Sequence, residues 1–171
     1  MTGRTRRVVT GHDAAGKSIV VSDGMPPQDH PMRGAEIGAD FIEIWGTPET
    51  VPALTSLPDG EPTERPFTIM PKSGHLIRII DIYPPSMGGQ RTVMHRTRTL
   101  DYAVVIEGEI VLVLSDSELV LGPGEVVVQC GTDHAWENRT DRVTRMAFFH
   151  IAAEFSDELL GKLPQPLELM E

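Results

Sequence analysis

Two histidines and one aspartate, His95, Asp101 and His134, carry the side chains in this sequence that are best suited to chemistry. Each stands at the beginning or end of a short run that favours β structure. Imidazole nitrogens and carboxylate oxygens suit Fe(II), Mn(II), Ni(II) or Zn(II), and three such ligands leave coordination positions open for substrate and water. If the three side chains converge, they would form a facial triad; the alternative is a pair of hydrogen-bonded pocket histidines without metal.

The second half of the chain predicts the strands that must position these residues. Short apolar and β-branched runs, separated by Gly, Pro, Asp and Ser turn signals, favour an antiparallel sandwich or barrel. The predicted strands cover residues 76–83, 92–95, 101–106, 109–114, 118–121, 125–130, 134–139 and 143–152. Ser156 is typical of an N-cap, so a short helix is expected over residues 157–162, ended by Pro164 and Pro166.

The first half is more irregular. Residues 5–10, 18–22 and 40–46 favour strands, whereas residues 23–38 are rich in Gly, Pro and Met and predict a loop. Residues 47–72 contain six prolines, which lack the amide donor that a sheet ladder or a helix needs. This Pro-rich segment would cross the protein surface, cover a pocket mouth or wrap a partner subunit.

Charge and composition exclude several classes of protein. The net charge of −10 disfavours binding to nucleic acid or to an anionic membrane, and no apolar run is long enough to span a bilayer. The basic cluster Arg4, Arg6 and Arg7 is interpreted as a solvated arm. The single cysteine, Cys130, excludes an intrachain disulfide and is expected to be a buried small hydrophobe. We expect a cytoplasmic protein.

The spacing of glycines and histidines resembles the two motifs of the cupin superfamily, over about residues 76–152. The first motif is G-x5-H-x-H-x3,4-E-x6-G, and the second ends in H-x3-N. The matching residues are Gly89, His95, Gly108, Gly124, His134 and Asn138, with Thr97, Asp101 and Cys130 standing where a histidine, a glutamate and a proline are usual.

The resemblance implies an all-β, cupin-type antiparallel β-barrel, that is, a double-stranded β-helix or jelly roll. The irregular Pro-rich N-terminal half and the short C-terminal helix would be additions to it. One domain would span residues 1–171. Within it, residues 1–75 would pack on the barrel, residues 76–152 would form the cupin core, and residues 153–171 would form the tail.

The resemblance also implies roles for individual residues. His95, Asp101 and His134 would bind one divalent metal ion, and Asp101 would also be the catalytic base. The alternative for Asp101 is a structural pairing with Arg96, Arg98 or a strand-end amide, since a buried carboxylate needs a partner.

Four further residues are expected around the pocket: Thr97, Gln129, Trp136 and His150. Thr97 would line the pocket, and Gln129 would point its amide into it. Trp136 is interpreted as core packing or as a platform for substrate. His150 would be a hydrogen-bonded core histidine or a third nitrogen ligand, and its neighbours Phe148 and Phe149 suggest a strand buried on both faces.

The expected function is that of a metal-dependent enzyme of the dioxygenase, decarboxylase, isomerase or dehydratase class. Its substrate would be small and mostly apolar, with an oxo or carboxyl group. Two alternatives stay open: a small-molecule-binding cupin without metal, and a metal-free enzyme that uses Asp101 and His134 as acid and base. A homodimer is expected, with strands 5–10 and 18–22 covering a sheet edge in cis or in trans.

Overall fold

The computed structural model describes residues 5–32, 38–58, 60–64, 66–165 and 169–170. The elements are almost all strands, as the sequence predicts. The strands are β1 (Arg7–His12), β2 (Ser18–Gly24), β3 (Gln28–Met32), β4 (Ala39–Thr47), β5 (His75–Ile82), β6 (Thr99–Glu107), β7 (Ile110–Leu114), β8 (Glu118–Leu121), β9 (Val126–Cys130), β10 (His134–Glu137) and β11 (Thr144–Ala152). Helix α1 (Asp157–Leu160) follows the last strand, and two single 3-10 turns lie at Pro62–Glu64 and Pro85–Met87.

The strands form two antiparallel sheets and one separate hairpin. The larger sheet has the order β3-β4-β5-β11-β6-β9, the smaller has the order β10-β7-β8, and β1 pairs with β2. Strands far apart in sequence are therefore neighbours, which gives the predicted jelly-roll arrangement. In the parts of the chain that the structure describes, the sheets are not hydrogen-bonded into one closed barrel, so that detail of the prediction is corrected.

Alternation of side chains across the strands places the core between the two sheets. Each fully buried aliphatic or aromatic side chain contributes about 1.5–3 kcal/mol relative to exposure, so this layer supplies most of the stabilisation. The main buried cluster consists of Ala39, Phe41, Ile80, Ile82, Ala103, Val105, Ile110, Leu112, Trp136, Met146 and Phe148.

Residues 92–95 differ from the predicted strand in a way that matters for the site. Thr92 N–H donates to the Trp136 carbonyl at 3.0 Å, but the Trp136 amide donates to the Thr92 hydroxyl at 2.9 Å and not to a backbone oxygen. Because the Thr92 hydroxyl replaces a backbone oxygen as the acceptor, residues 92–95 do not form a regular ladder of backbone hydrogen bonds with β10. Only His95 forms an isolated antiparallel bridge, with His134 of β10.

The β1–β2 hairpin packs on the Pro-rich segment, and no edge of the two larger sheets pairs with it in the described residues. Arg7, which is 8% exposed, donates to Glu61 at 2.7 Å and 2.8 Å and to the Ile44 carbonyl at 3.1 Å. Arg6 forms a bidentate pair with Asp23 on the surface. The interpretation of this cluster as a solvated arm is therefore wrong for Arg7, while Arg4 lies outside the described residues.

Other local expectations had mixed outcomes. The predicted loop over 23–38 contains the edge strand β3, whose Pro31 is tolerated because an edge strand need not donate from every amide. The predicted helix is shorter than expected, but the Ser156 hydroxyl does accept from Leu159 N–H at 3.2 Å. Pro166 lies outside the described residues. Cys130 is exposed on the edge strand β9, so its expected burial is wrong.

Two further observations concern the surface. Phe149 is 40% exposed, so β11 is not buried on both faces as its sequence suggests. Within the described ranges, no helix is long and apolar enough to cross a lipid bilayer.

Candidate functional site

A cavity of about 90 Å³ lies between the two sheets, and its wall is mostly apolar. Strands β4, β5, β6, β10 and β11 contribute to it, together with the irregular segment before β6, the end of the Pro-rich segment and the chain near its C-terminus. The lining residues are Ala39, Phe41, Ile69, Met70, Arg78, Ile80, Ile82, Thr92, Val93, His95, Asp101, His134, Trp136, Phe148, His150 and Met170. The three residues predicted from motif spacing thus share one cavity.

The backbone bridge between His95 and His134 brings their imidazoles together. Each residue donates its amide to the other's carbonyl, at 3.0 Å and 2.9 Å, and the ring centroids are 4.2 Å apart. His95 Nδ1 lies 2.8 Å from the Val93 carbonyl, and His134 Nδ1 lies 3.0 Å from the Thr132 carbonyl. A carbonyl can only accept, so both Nδ1 atoms carry the proton and the neutral rings have their lone pairs on Nε2.

His134 is buried, being 3% exposed, and this controls its charge. Burial lowers the pKa of His134 from 6.5 to about 4, and the nearby His95 lowers it further, against smaller raising effects of the Thr132 carbonyl, Asp101 and Asp133. His134 is therefore a neutral imidazole at physiological pH. A neutral imidazole accepts hydrogen bonds at Nε2 and does not donate there.

Asp101 and His150 form a second pair on the inner face of the larger sheet. They are direct partners in the register of β6 and β11, and His150 Nδ1 lies 2.8 Å from Asp101 Oδ1. Both residues are 3% exposed. The His150 ring stacks on Phe148 at 5.7 Å, and its Nε2 is buried without a hydrogen-bond partner in the described structure. The carboxylate thus orients an imidazole whose other nitrogen has no partner among the described residues.

This pairing differs from the ion pair with Arg96 or Arg98 that was one expectation for Asp101. Arg96 pairs with Asp133, and Arg98 lies 3.9 Å from Glu154, so neither arginine is the partner of Asp101. The carboxylate is instead held by His150, which is separated from it by 49 positions in the sequence. His150 is therefore hydrogen-bonded through Nδ1, which agrees with the expectation of a hydrogen-bonded core histidine.

Arg78 is a cavity residue that the motifs do not indicate. It is completely buried, its Nε lies 2.8 Å from Glu43 Oε1, and it donates to the carbonyls of Thr68 and Ile69 at 2.9 Å and 2.6 Å. These bonds hold the end of the Pro-rich segment across the cavity, where Ile69 forms part of the wall. One sequence signal was available: Arg78 falls between two apolar residues of the same strand face.

Of the other predicted pocket residues, Trp136 and His150 line the cavity, whereas Thr97 and Gln129 are not among its lining residues. Thr97 is fully buried and accepts a hydrogen bond from the Thr99 hydroxyl at 2.8 Å. The Gln129 amide donates to the Thr132 hydroxyl. Trp136 packs edge-on against Phe148 at 5.7 Å, so it is both core and cavity wall.

The metal expectation can be compared with the geometry of the donor groups. Within the described residues, no group of three His, Cys, Asp or Glu side chains is placed so that it could hold one ion. His95 and His134 are close and correctly protonated for ligation, but Asp101 is engaged by His150. The structure therefore does not bring the three predicted ligands into one coordination set, and the residues do not fit a three-ligand metal centre.

The fold and the site together define a jelly-roll β protein with an imidazole-lined cavity between its sheets. No protein-family profile matches the chain. Sequence relatives do: Phomopsin biosynthesis cluster protein D of Diaporthe leptostromiformis is 36% identical over 168 residues, covering 91% of this chain and 84% of the relative. Cupin-domain-containing oxidoreductase fogC of Aspergillus ruber is 36% identical over 152 residues, covering 85% of this chain and 71% of the relative.

On these relatives, the chain belongs to the cupin superfamily. A solved Cupin 2 conserved barrel domain protein from Salinispora arenicola is similar over 58% of this chain and 80% of its own, at 18% identity and a TM-score of 0.42. The assignment rests on the sequence relatives, several of which are fungal proteins named as cupin-domain oxidoreductases or biosynthesis cluster proteins.

Proposed function

We propose that this cupin is an enzyme that moves a proton on a small, mostly apolar molecule bound in the cavity, with His150 as the base and Asp101 as its positioning residue. The observation that carries the proposal is the buried Asp101–His150 pair, whose outer nitrogen has no partner in the described structure and whose ring lies in an apolar wall. An imidazole oriented by a carboxylate is a common arrangement for a general base.

The reaction class that fits this arrangement is removal of a proton from a carbon next to a carbonyl group. The C–H bond breaks, the proton is taken by His150 Nε2, and the electron pair moves onto the carbonyl oxygen. The lining includes two residues with uncharged donor groups, Thr92 with a hydroxyl and Trp136 with an indole N–H, which would donate to that oxygen. Return of the proton to the same carbon, as the carbonyl group re-forms, completes an exchange or an inversion of configuration at that carbon.

Deuterium exchange tests this proposal without knowledge of the natural substrate. Phenylacetone, a small aromatic ketone, is incubated with the protein in D₂O, and loss of its benzylic protons is followed by NMR. We expect the wild type to accelerate exchange, His150→Gln to lose about 100-fold or more of the acceleration, and Asp101→Asn to lose a smaller part. His12→Gln, an exposed histidine outside the cavity, is the control.

Binding of phenylacetone without any acceleration of exchange would contradict proton transfer and would favour the alternative, a cupin that binds a small molecule without transforming it. Binding is measured by quenching of Trp136 fluorescence in a Trp45→Phe background. Ala39→Leu, which fills the cavity, should weaken the quenching, whereas Ala152→Leu, outside the cavity wall, should not.

Metal dependence, which the family resemblance implies, is tested separately. His95 and His134 offer two Nε2 atoms for an ion, and the geometry supplies no third protein ligand within the described residues. Elemental analysis of protein purified without a His tag decides the question. Near-stoichiometric Fe, Mn, Ni or Zn would support the metal-dependent form of the enzyme, and its absence together with retained exchange activity would support the metal-free form.

The expectation of a homodimer stays a proposal. Apolar side chains are exposed along the edge strand β9, at Val126 and Val128, where a second copy could pair. Light scattering at micromolar concentration tests this, and a monomer would contradict it.

A further inference from the structure

We propose that the polar end of the cavity recognises a neutral molecule that donates a hydroxyl hydrogen, a phenol or an enol, and rejects a carboxylate. This inference deepens the proposed function, because it assumes that the cavity is where the substrate binds. It narrows the substrate class expected from the sequence, in which an oxo group and a carboxyl group were equally acceptable.

The protonation of the three cavity imidazoles is set by their backbone and carboxylate partners. The Nδ1 atoms of His95, His134 and His150 face the Val93 carbonyl, the Thr132 carbonyl and the Asp101 carboxylate. All three partners are acceptors, so each Nδ1 supplies the hydrogen, and the neutral form of each ring has its acceptor lone pair on Nε2. Three imidazoles in one wall therefore present the same chemistry.

Among the residues that the structure describes, none donates a hydrogen bond to these three acceptors. His150 Nε2 is buried and unpaired, and no described group forms a hydrogen bond to Nε2 of His95 or His134. A buried acceptor left without a donor is unfavourable, so a ligand that brings an O–H group gains more here than one that brings only acceptors. A phenol or an enol has such a group attached to an apolar body.

The charges around the cavity disfavour an anion. Arg78 is the one cation among the described lining residues. Its guanidinium forms an ion pair with Glu43 and donates hydrogen bonds to the Thr68 and Ile69 carbonyls. Asp101 places a carboxylate in the same wall. A ligand carboxylate would lose its hydration and would meet a like charge and imidazole lone pairs in place of a cation. The donors that remain, Thr92 and Trp136, are uncharged.

Three matched probes test the inference: 4-methylphenol, 4-methylanisole and 4-methylbenzoate. They share an apolar ring and differ only in the donor, acceptor or charged group. Binding is followed by Trp136 fluorescence in the Trp45→Phe background. We expect 4-methylphenol to bind at least about tenfold more tightly than either of the others, the fold-change that one satisfied hydrogen bond provides.

Removal of one acceptor should reduce this preference. His150→Phe keeps an aromatic ring beside Phe148 and removes Nε2, so the ratio of anisole to phenol dissociation constants should fall toward one. His95→Phe, at a half-buried position that tolerates change better, repeats the test if the first variant does not fold. His12→Phe, which is exposed and outside the wall, should leave the ratio unchanged.

The outcomes separate the two proposals. Equal or tighter binding of 4-methylanisole or 4-methylbenzoate would overturn this inference and leave the proposed function standing. Failure of all three probes and of phenylacetone to bind would overturn both, since the cavity would not be a small-molecule site. A phenol preference that persists in the His150 and His95 variants would assign the recognition to other groups and would also contradict the inference.

Discussion

Burial of His134 as a neutral imidazole should make the protein lose stability in mild acid, by an amount that the structure allows to be estimated. The pKa of His134 falls from 6.5 to about 4 on folding. Each pKa unit corresponds to about 1.4 kcal/mol, so the largest effect is about 3 kcal/mol. Because the folded state binds the proton more weakly than the unfolded state, this stabilisation is present above the unfolded pKa and is lost as pH falls from 6.5 to about 4.

The assay is urea unfolding of the wild type and of His134→Gln at about pH 7.5 and about pH 4.5. The wild type should lose about 2.5 kcal/mol more than the variant between the two conditions. Most of the full effect is reached at about pH 4.5, because His134 is then protonated in the unfolded protein but mostly neutral in the folded protein. His95, Asp101 and Asp133 also act on this ring, and they are unchanged in the comparison. His12→Gln should follow the wild type.

The opposite outcome is an equal loss of unfolding free energy by the wild type and His134→Gln between the two pH values. That result would refute the reasoning, because it would mean that His134 is either exposed to water or already charged in the folded protein. It would also remove one of the three imidazole acceptors on which the preference for a hydroxyl donor depends.

Three further predictions concern stability and reactivity. Glu43→Gln should lower the free energy of unfolding by about 3 kcal/mol, because it leaves the charge of fully buried Arg78 without its carboxylate partner. Urea titration measures this loss, and a loss below about 1 kcal/mol would contradict the prediction. Gly89→Ala should cost about 1–3 kcal/mol, since an added Cβ would lie 1.7 Å from a backbone oxygen, whereas Gly24→Ala, with open space around it, should cost much less by the same assay. Cys130 should react with a thiol reagent in the folded protein as fast as in urea, and a slow native reaction would show that it is covered.

The strand pattern could be predicted from the sequence because alternation and turn residues are local signals. All predicted strands of the second half are present except residues 92–95, where the Thr92 hydroxyl replaces a backbone acceptor. Strand β3 was missed because Pro31 argues against a strand, and its position at a sheet edge is not visible in sequence.

The site could be predicted only in part. His95, Asp101 and His134, which motif spacing singles out, all line one cavity, but that spacing does not show how their side chains pair. The partner of Asp101 is set by the register of two strands that are distant in sequence, and no local pattern fixes that register. The same limit applies to Gln129, whose strand was predicted while its contacts were not, and to Thr97, which lies between predicted strands.

Arg78 allows the attachment of the cavity wall and the shape of the cavity to depend on different groups. It fixes the end of the Pro-rich segment by its backbone carbonyls, so the side chains of Ile69 and Met70 are free to vary without loosening that attachment. Asp101, His134 and His150 lie instead on strands β6, β10 and β11, outside that segment. A change of size at Ile69 or Met70 would therefore alter which molecules fit and leave the reactive groups in place, so related proteins could diversify their choice of molecule by substitutions at two positions.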